Sequence, residues 1–228
     1  MKNLQIFNEL YRPKVFGFNP NTLGTLVGWW KFNEGVTSSG GLISEVTDFS
    51  TTNKPLKQTT ATNKPTLATA FKNGLNVGQF DGSNDWMALD SSINGLSSTS
   101  FFIVYRRSAN TSQAVLSDGA SSYHYLQYGS AFYVGNNQSA QAMTNDVWYI
   151  RAGVAVAGGT GTKYYSNGTF LASIAGGADN FQTFRYLATA GGAYLNGYVA
   201  EIWLYSTALS DAQILTGSTA LNAKWAIY

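Results

Sequence analysis

The sequence predicts an all-β protein, in which two antiparallel sheets form a sandwich with an N-terminal arm and a short C-terminal helix. The chain of 228 residues holds 24 glycines, 14% aromatic residues and only 11% charged residues, which suits a turn-rich sandwich better than a helical protein. Short apolar runs recur at regular spacing between turn residues such as Asp118-Gly119 and Asn167-Gly168. No pattern for a crossover helix lies between them, so antiparallel pairing is expected.

An N-terminal arm, residues 1–22, is expected to precede one domain at residues 23–228. Apolar residues recur along the arm, first at helical spacing and then in a segment broken by Gly and Pro. They are Leu4, Phe7, Leu10, Tyr11, Phe16 and Phe18. Exposed apolar residues ahead of a complete domain favour attachment to a partner chain or oligomerisation, and the alternative is an arm that packs on its own domain.

The first core strand is predicted at residues 26–32. Its alternation places Leu26, Trp30 and Phe32 on the core face and turns Trp29 outward or toward the arm. Residues 33–74 are rich in Ser, Thr, Asn and Lys, which predicts loops with short edge strands. Residues 75–80 and 86–89 predict a hairpin around the turn residues between them.

The middle of the chain predicts further short strands. They are expected at residues 100–107, at 114–117, 123–128 and 131–135 as a three-strand meander, at 147–156 and at 184–188. Asn167-Gly168 predicts a tight hairpin, because type I′ turns need positive φ at both central residues.

Residues 198–205 predict a central strand, because both alternating sets are apolar and Glu201 is the only charge. Simple alternation places Ala200, Ile202 and Leu204 on one face and Val199, Glu201, Trp203 and Tyr205 on the other. Ser210 and Gln213 have the spacing of a capping box, which predicts a short helix from residue 211 to about residue 216.

Five motifs follow one another in the order known from one family. They are LVGWWKFNEG at 26–35, FDGSNDW at 80–86, WYIRAGV at 148–154, YSNGTF at 165–170 and GYVAEIWLYSTALSD at 197–211. Together they resemble laminin-G-like, concanavalin-A-like lectin and glucanase jelly-roll domains of the kind found in bacteriophage virion proteins. The resemblance implies a jelly roll over roughly residues 23–217. It leaves the function open, because lectins, adhesion modules, glycosidases and viral coat components share this architecture.

Catalysis and zinc binding are not expected. Glycosidases of this fold need two carboxylates close together, whereas the central strand offers Glu201 alone, which is read as a structural hydrogen-bond acceptor. There is no cysteine, and His124 is the only histidine. Calcium is a candidate cofactor, with Asp81, Asn84, Asp85 and Asp118 as ligands, but turn residues that bond their own backbone are the preferred interpretation.

A glycan site needs aromatic faces flanked by amides or carboxylates. Residues of both kinds lie on strands and turns, and packing in the sandwich core is the alternative for each ring. The candidates are Trp29, Trp86, Tyr123, Tyr125, Tyr194, Asn136, Asn137 and Asn196.

These observations predict a non-catalytic, lectin-like surface protein of a virion. A bacteriophage spike, tail or capsid-decoration component is expected, made in the host cytoplasm without a signal peptide, forming a homo-oligomer and joined to other virion proteins through the arm. Host-surface glycans are the expected ligands. Nucleic acid is not expected at a net charge of +2, and no window is apolar enough to span a membrane. The alternatives are a purely structural capsid protein and a glycoside hydrolase with an atypical site.

Overall fold

The computed structural model of the chain describes residues 17–109, 113–118, 123–128, 131–134, 137–140, 143–156, 161–175 and 183–228. The arm residues Leu4, Phe7, Leu10, Tyr11 and Phe16 lie outside these ranges. The first strands are β1 (Leu26–Lys31), β2 (Val36–Ser39), β3 (Leu42–Val46), β4 (Leu56–Lys57), β5 (Thr66–Lys72), β6 (Leu75–Asp81) and β7 (Met87–Asn94).

The middle strands are β8 (Ser98–Arg107), β9 (Gln113–Ser117), β10 (Tyr123–Tyr128), β11 (Ala131–Val134), β12 (Asn137–Ala140), β13 (Trp148–Val156), β14 (Thr162–Ser166) and β15 (Thr169–Ile174). The last elements are β16 (Thr183–Leu187), β17 (Thr189–Ala190), β18 (Ala193–Tyr194), β19 (Asn196–Tyr205) and helix α1 (Asp211–Trp225). Short 3₁₀ turns occupy Pro20–Thr22 and Ala61–Asn63.

The strands form two large antiparallel sheets, joined at one β3–β5 pair, and a separate β17–β18 ribbon, which confirms the predicted all-β sandwich. In sheet I, β19 is central: β8 pairs along one edge, and β6 and β1 share the other edge. Beyond β8 follow β13, β14 and β15, and β5 pairs with β6. Sheet II runs in the order β2-β3-β4-β7-β16-β9-β10-β11-β12. The predicted meander is the β9–β10–β11 part of sheet II.

Two hydrophobic cores hold three layers together. The first core lies between the sheets and includes Trp30 and Phe32, as predicted. The second lies between sheet I and α1 and includes Phe102, Trp203 and Trp225. The strand β19 is therefore covered on both faces, as its two apolar sets predict.

The predicted hairpin at residues 75–89 is wrong. The strand β6 pairs with β5 and β19 in sheet I, whereas β7 pairs with β4 and β16 in sheet II. Residues 82–86 therefore cross from one sheet to the other. The turn residues mark a change of direction, but they do not determine which strand becomes the partner.

Two strands depart from simple alternation because each contains a bulge. In β19 the register shifts between Val199 and Glu201, so Val199 joins Ile202 and Leu204 in the intersheet core. Ala200 instead faces α1 with Trp203. In β1 a shift between Leu26 and Gly28 likewise turns Leu26 toward the helix. Bulges insert one unpaired residue and change which face the following side chains occupy.

Helix α1 begins at the predicted cap but continues well beyond residue 216, to Trp225. Ser210 accepts from the backbone N–H of Gln213, and the Gln213 side chain accepts from the backbone N–H of Ser210. Gly217 lies against Phe102, and a Cβ there would be 2.6 Å from the Phe102 ring. Among the residues that the structure describes, no helix has the length and apolar character needed to cross a bilayer.

Candidate functional site

The Glu201 carboxylate is the centre of a buried polar cluster on the outer face of sheet I. Its Oε1 accepts hydrogen bonds from the indole Nε1 atoms of Trp29 and Trp203, at 2.7 and 2.8 Å. Its Oε2 accepts from Trp225 Nε1 at 2.9 Å and from Lys224 Nζ at 2.6 Å. The residue is 2% exposed. Four donors match the roughly four lone-pair positions of a carboxylate, so this acid acts as a structural acceptor, as the sequence predicts.

The elements of the fold position each member of this cluster. Trp29 comes from β1, Trp203 from β19 itself, and Lys224 and Trp225 from the last turn of α1. The bulge in β19 turns Glu201 toward the helix. Because these donors come from three separate segments, the carboxylate fixes the helix and β1 against the central strand.

A groove of about 620 Å³ opens beside this cluster, between β1 and the end of α1. Aromatic residues and amide side chains line it together. The aromatic residues are Phe18, Trp29 and Trp203, and the amides are Asn19, Asn21 and Asn33. Phe18 stacks on Trp203, with ring centroids 5.8 Å apart and an interplanar angle of 18°. Aromatic faces beside amides are what a sugar ring requires.

Trp29 is held from its backbone as well as from its indole. Its N–H donates to Asp48 Oδ1 at 2.9 Å, and the Asp48 carboxylate also accepts from the backbone N–H groups of Ser50 and Lys54, each at 2.9 Å. Asp48 is 4% exposed. The sequence analysis missed this residue, because it read residues 33–74 as loops. The only available signal was an isolated acid among Ser, Thr and Lys.

The charges that line the groove are paired. Lys31 Nζ lies 2.7 Å from Glu34 Oε2 and also 4.5 Å from the centroid of the Trp29 ring. Lys224 pairs with Glu201. Two lysines therefore pair with two carboxylates, and the residues that line the groove carry no net charge.

The structure does not bring the predicted glycan-binding residues together. Trp29 lies in the groove, whereas Trp86 lines a separate, shallow cavity of about 230 Å³ with Arg185 on sheet II. Asn196 begins β19 and contacts Gly82, where a Cβ would be 2.6 Å from the Asn196 Cβ. Tyr194 lies in β18, paired with Thr189.

The remaining candidates lie at the limits of the described structure. Tyr123 and Tyr125 belong to β10, and Asn137 begins β12, where the description covers their strands and not their side chains. Asn136 lies outside the described residues. Of the predicted arm residues, only Phe18 is described, and its stacking on Trp203 places it on its own domain.

The loop predicted to bind calcium is held by its own backbone. Asp81 Oδ1 accepts from the N–H groups of Ser83, Asn84 and Asp85, at 2.8, 3.1 and 3.3 Å. Burial, and then the neighbouring Asp81 carboxylate, raise the pKa of Asp85 to about 6. Asp118 follows β9. Among the described residues, no three His, Cys, Asp or Glu side chains cluster as metal ligands would, and calcium binding stays a prediction.

Comparison with solved structures finds the same fold in proteins of very different sequence. No protein-family model and no curated protein sequence matches the chain. The binding domain of Paraclostridial Mosquitocidal Protein 1 aligns with a TM-score of 0.62 and 11% identity, over 86% of this chain and 52% of that chain. The binding domain of botulinum neurotoxin DC, solved with rat synaptotagmin II, aligns with a TM-score of 0.60 and 12% identity, over 86% and 52%.

A sialidase shares the fold as well. Trypanosoma rangeli sialidase, solved in complex with sialic acid, aligns with a TM-score of 0.58 and 11% identity, over 87% of this chain and 33% of that chain. The chain thus spans about half or less of the proteins that it resembles. At such identities the likeness shows the fold alone, which is an all-β sandwich.

Proposed function

We propose that this chain is a non-catalytic glycan-binding domain, and that a neutral sugar ring binds in the groove beside Trp29. The observation that carries the proposal is the fixed position of the Trp29 indole, which is held by Glu201 at 2.7 Å through its Nε1 and by Asp48 at 2.9 Å through its backbone. A ring that is already immobilised loses little conformational entropy when a ligand stacks on it.

Hydrogen-bonding groups lie on the same wall. The exposed amide side chains of Asn19 and Asn21 line the groove and can exchange hydrogen bonds with hydroxyl groups. The pairing of Lys31 with Glu34 and of Lys224 with Glu201 supports an uncharged ligand over an acidic sugar. Two proteins of this fold were solved with sialic acid, and cell entry of botulinum neurotoxin type C depends on interaction with two ganglioside molecules. These ligands support a glycan as the ligand class.

The carboxylates of the groove support binding over hydrolysis. A glycosidase needs one carboxyl group that gives up a proton and a second that acts as base or nucleophile. Glu201 is fully occupied by four donors, and Glu34 accepts from Lys31 Nζ at 2.7 Å. Neither the Glu201 nor the Glu34 carboxylate is therefore arranged to donate a proton to a glycosidic oxygen.

A glycan array followed by calorimetry tests the groove. We expect wild-type protein to bind neutral glycans, and Trp29→Ala to lose about tenfold or more in affinity, since aromatic stacking contributes roughly 1.5 kcal/mol. Trp86→Ala is the matched control, because it removes an equally large ring from the other sheet. Wild-type binding to acidic glycans alone, or full affinity in Trp29→Ala, would contradict the assignment.

We also propose that the domain works on the surface of a virion, as a spike, tail or capsid-decoration component that assembles through residues 1–16. The low charge, the Gly-rich composition and the apolar residues of the arm sequence support this placement. Mass spectrometry of purified particles tests it, with a variant that lacks residues 2–16 expected to fold and to be missing from particles. Residues from Phe18 onward are kept, because they pack on the domain. Normal incorporation of the shortened chain would overturn the role of the arm.

A further inference from the structure

A second aromatic surface lies on the same face of sheet I, away from the groove. We define the platform as Phe71, Trp148 and Tyr198 together with Arg106. Phe71 stacks on Tyr198, with centroids 4.4 Å apart and an interplanar angle of 14°. Trp148 lies 6.3 Å from Tyr198, and the Arg106 guanidinium lies 4.6 Å from the Tyr198 ring centroid. Phe71 is nevertheless 41% exposed.

The backbone is strained at both sides of the platform. Ala70 has φ +49°, inside a bulge of β5 where the register shifts between Ala68 and Lys72. Asp146 has φ +61° and pairs with Arg106 at 3.1 Å. The left-handed conformation is costly for Ala70, whereas an aspartate such as Asp146 tolerates it better, and such strain concentrates at functional sites.

The neighbouring turn does not explain this strain. Asn73 and Gly74, with φ +50° and +71°, form the two-residue turn between β5 and β6 and have the residue types that such turns prefer. Ala70 lies before that turn, where its N–H donates to Asn76 Oδ1 at 3.1 Å. The bulge instead carries Phe71 onto the outer face of the sheet, over Tyr198.

The platform is separate from the groove but lies close to it. Tyr198 precedes Glu201 by three positions on β19, which corresponds to roughly 10 Å along a strand. Beside Phe71, Asn73 Nδ2 donates to the carbonyl oxygen of Lys224 at 2.8 Å, and Lys224 itself lines the groove. One extended ligand can therefore reach both surfaces across the end of α1.

We propose that the platform is a second sugar-stacking subsite, so that the ligand of this domain is an extended neutral glycan chain and not a single terminal sugar. The proposal rests on the function proposed for the groove. The exposed Phe71 ring offers an apolar face, and the paired Arg106 and Asp146 place donors and acceptors beside it for sugar hydroxyls.

A sugar chain fits these features better than a protein partner does. A stable protein interface buries about 800 Å² on each side, around a continuous apolar centre. Here the exposed apolar residues in this part of the described structure are Phe71 and Val147, at 41% and 43% exposure, and an ion pair stands beside them. Charge pairs next to a single stacked ring match a polar ligand with one apolar face.

Calorimetry with neutral oligosaccharides of increasing length, from the disaccharide upward, tests the proposal on the full chain. The glucose-, galactose- and mannose-based series are used as probes. For wild type we expect affinity to rise with length until both surfaces are filled. Phe71→Ala should leave the shortest ligand unaffected and reduce affinity for the longer ones by about fivefold, the effect of one lost aromatic contact. Phe170→Ala, which removes a 48% exposed ring on β15, is the control.

The outcomes separate the two sites. Suppose that Trp29→Ala abolishes binding of every ligand while Phe71→Ala binds all lengths like wild type. That result supports the glycan site in the groove and refutes the second subsite on the platform. If wild-type affinity does not depend on length, the extended-chain proposal also fails. Binding of none of the probes by wild type overturns both sites. Retention of a protein partner that is lost only in Phe71→Ala would assign the platform to protein docking instead and refute the sugar subsite.

Discussion

Replacing Glu201 by glutamine should destabilise the fold strongly, although the two side chains have nearly the same shape. Each carboxylate oxygen receives two donors: Oε1 receives Trp29 and Trp203, and Oε2 receives Trp225 and Lys224. A glutamine keeps one acceptor oxygen and turns an NH₂ group toward the other two donors. Either orientation leaves at least one buried indole N–H facing another donor.

The expected loss of stability in Glu201→Gln follows from this geometry. Lys224 keeps 30% of its side chain exposed and can turn to water, so the milder orientation places the NH₂ group beside Lys224 and Trp225. An unsatisfied buried donor costs about 1–3 kcal/mol, and the lost charge-assisted bonds add to it. We therefore expect the free energy of unfolding to fall by about 2–4 kcal/mol, which corresponds to a drop of about 5–15 °C in Tm for a domain of this size.

Urea denaturation followed by tryptophan fluorescence measures this effect, because three of the six tryptophans donate to Glu201. Asp90→Asn is the control: it makes the same carboxylate-to-amide change in a surface ion pair whose lysine and acid side chains are 36% and 68% exposed, and it should leave stability nearly unchanged. If Glu201→Gln were as stable as Asp90→Asn, the Glu201 carboxylate would not be what holds the helix and β1 on the sheet.

Three further predictions concern the fold. Gly217→Ala should lower stability by about 1–3 kcal/mol in urea denaturation, since its Cβ would lie 2.6 Å from the Phe102 ring; an unchanged midpoint would show that α1 can shift. Ser210→Ala should cost about 1 kcal/mol through loss of the cap, against a neutral Thr219→Ala control. Burial raises the pKa of Asp85 to about 6, so wild-type stability contains a term that falls as pH rises from about 4 to about 6. When the free energy of unfolding is plotted against pH, Asp85→Asn should become more stable relative to wild type between about pH 4 and pH 6. Parallel curves for the two proteins would contradict this.

Much of the fold could be predicted because it depends on alternation and turn chemistry. Both apolar sets of residues 198–205 predict a doubly covered strand, and β19 is one. Asn167-Gly168 predicts a hairpin, and β14 and β15 form it, with φ of +51° and +78° at the turn. Trp30 and Phe32 were assigned to the core by alternation alone, and both are fully buried.

The sequence-based predictions are wrong where tertiary contacts determine the local structure. The full length of α1 was missed because two of its buried positions are Gly217 and Ser218, which carry no apolar signal. The small size of Gly217 is required by the Phe102 ring of the sheet against which the helix packs. The bulge at Ala200 depends on backbone pairing with β8, which leaves no mark in the sequence.

The same limits apply to the candidate site. Glu201 was recognised as a structural acceptor, but two of its donors, Lys224 and Trp225, lie in the part of α1 that was not predicted. The groove could not be anticipated for this reason. Among the predicted sugar-binding residues whose side chains the structure describes, only Trp29 lines the groove, because β1 pairs with β19 and turns this ring toward the helix.

The sequence positions of the residues that bond Glu201 determine when the domain can finish folding during synthesis. Trp29 lies 172 positions before the carboxylate, and Trp225 lies 24 positions after it. The strand β1 therefore leaves the ribosome long before its neighbour β19 exists, and contacts of such sequence separation form slowly. Residues 48 and 49 can bond one edge of β1 early, but the edge that pairs with β19 stays open until then, and chaperones or a second nascent chain can engage it. The joining of the first strand to the last one is thus a late step, and a ribosome that stalls before residue 201 leaves an aggregation-prone chain.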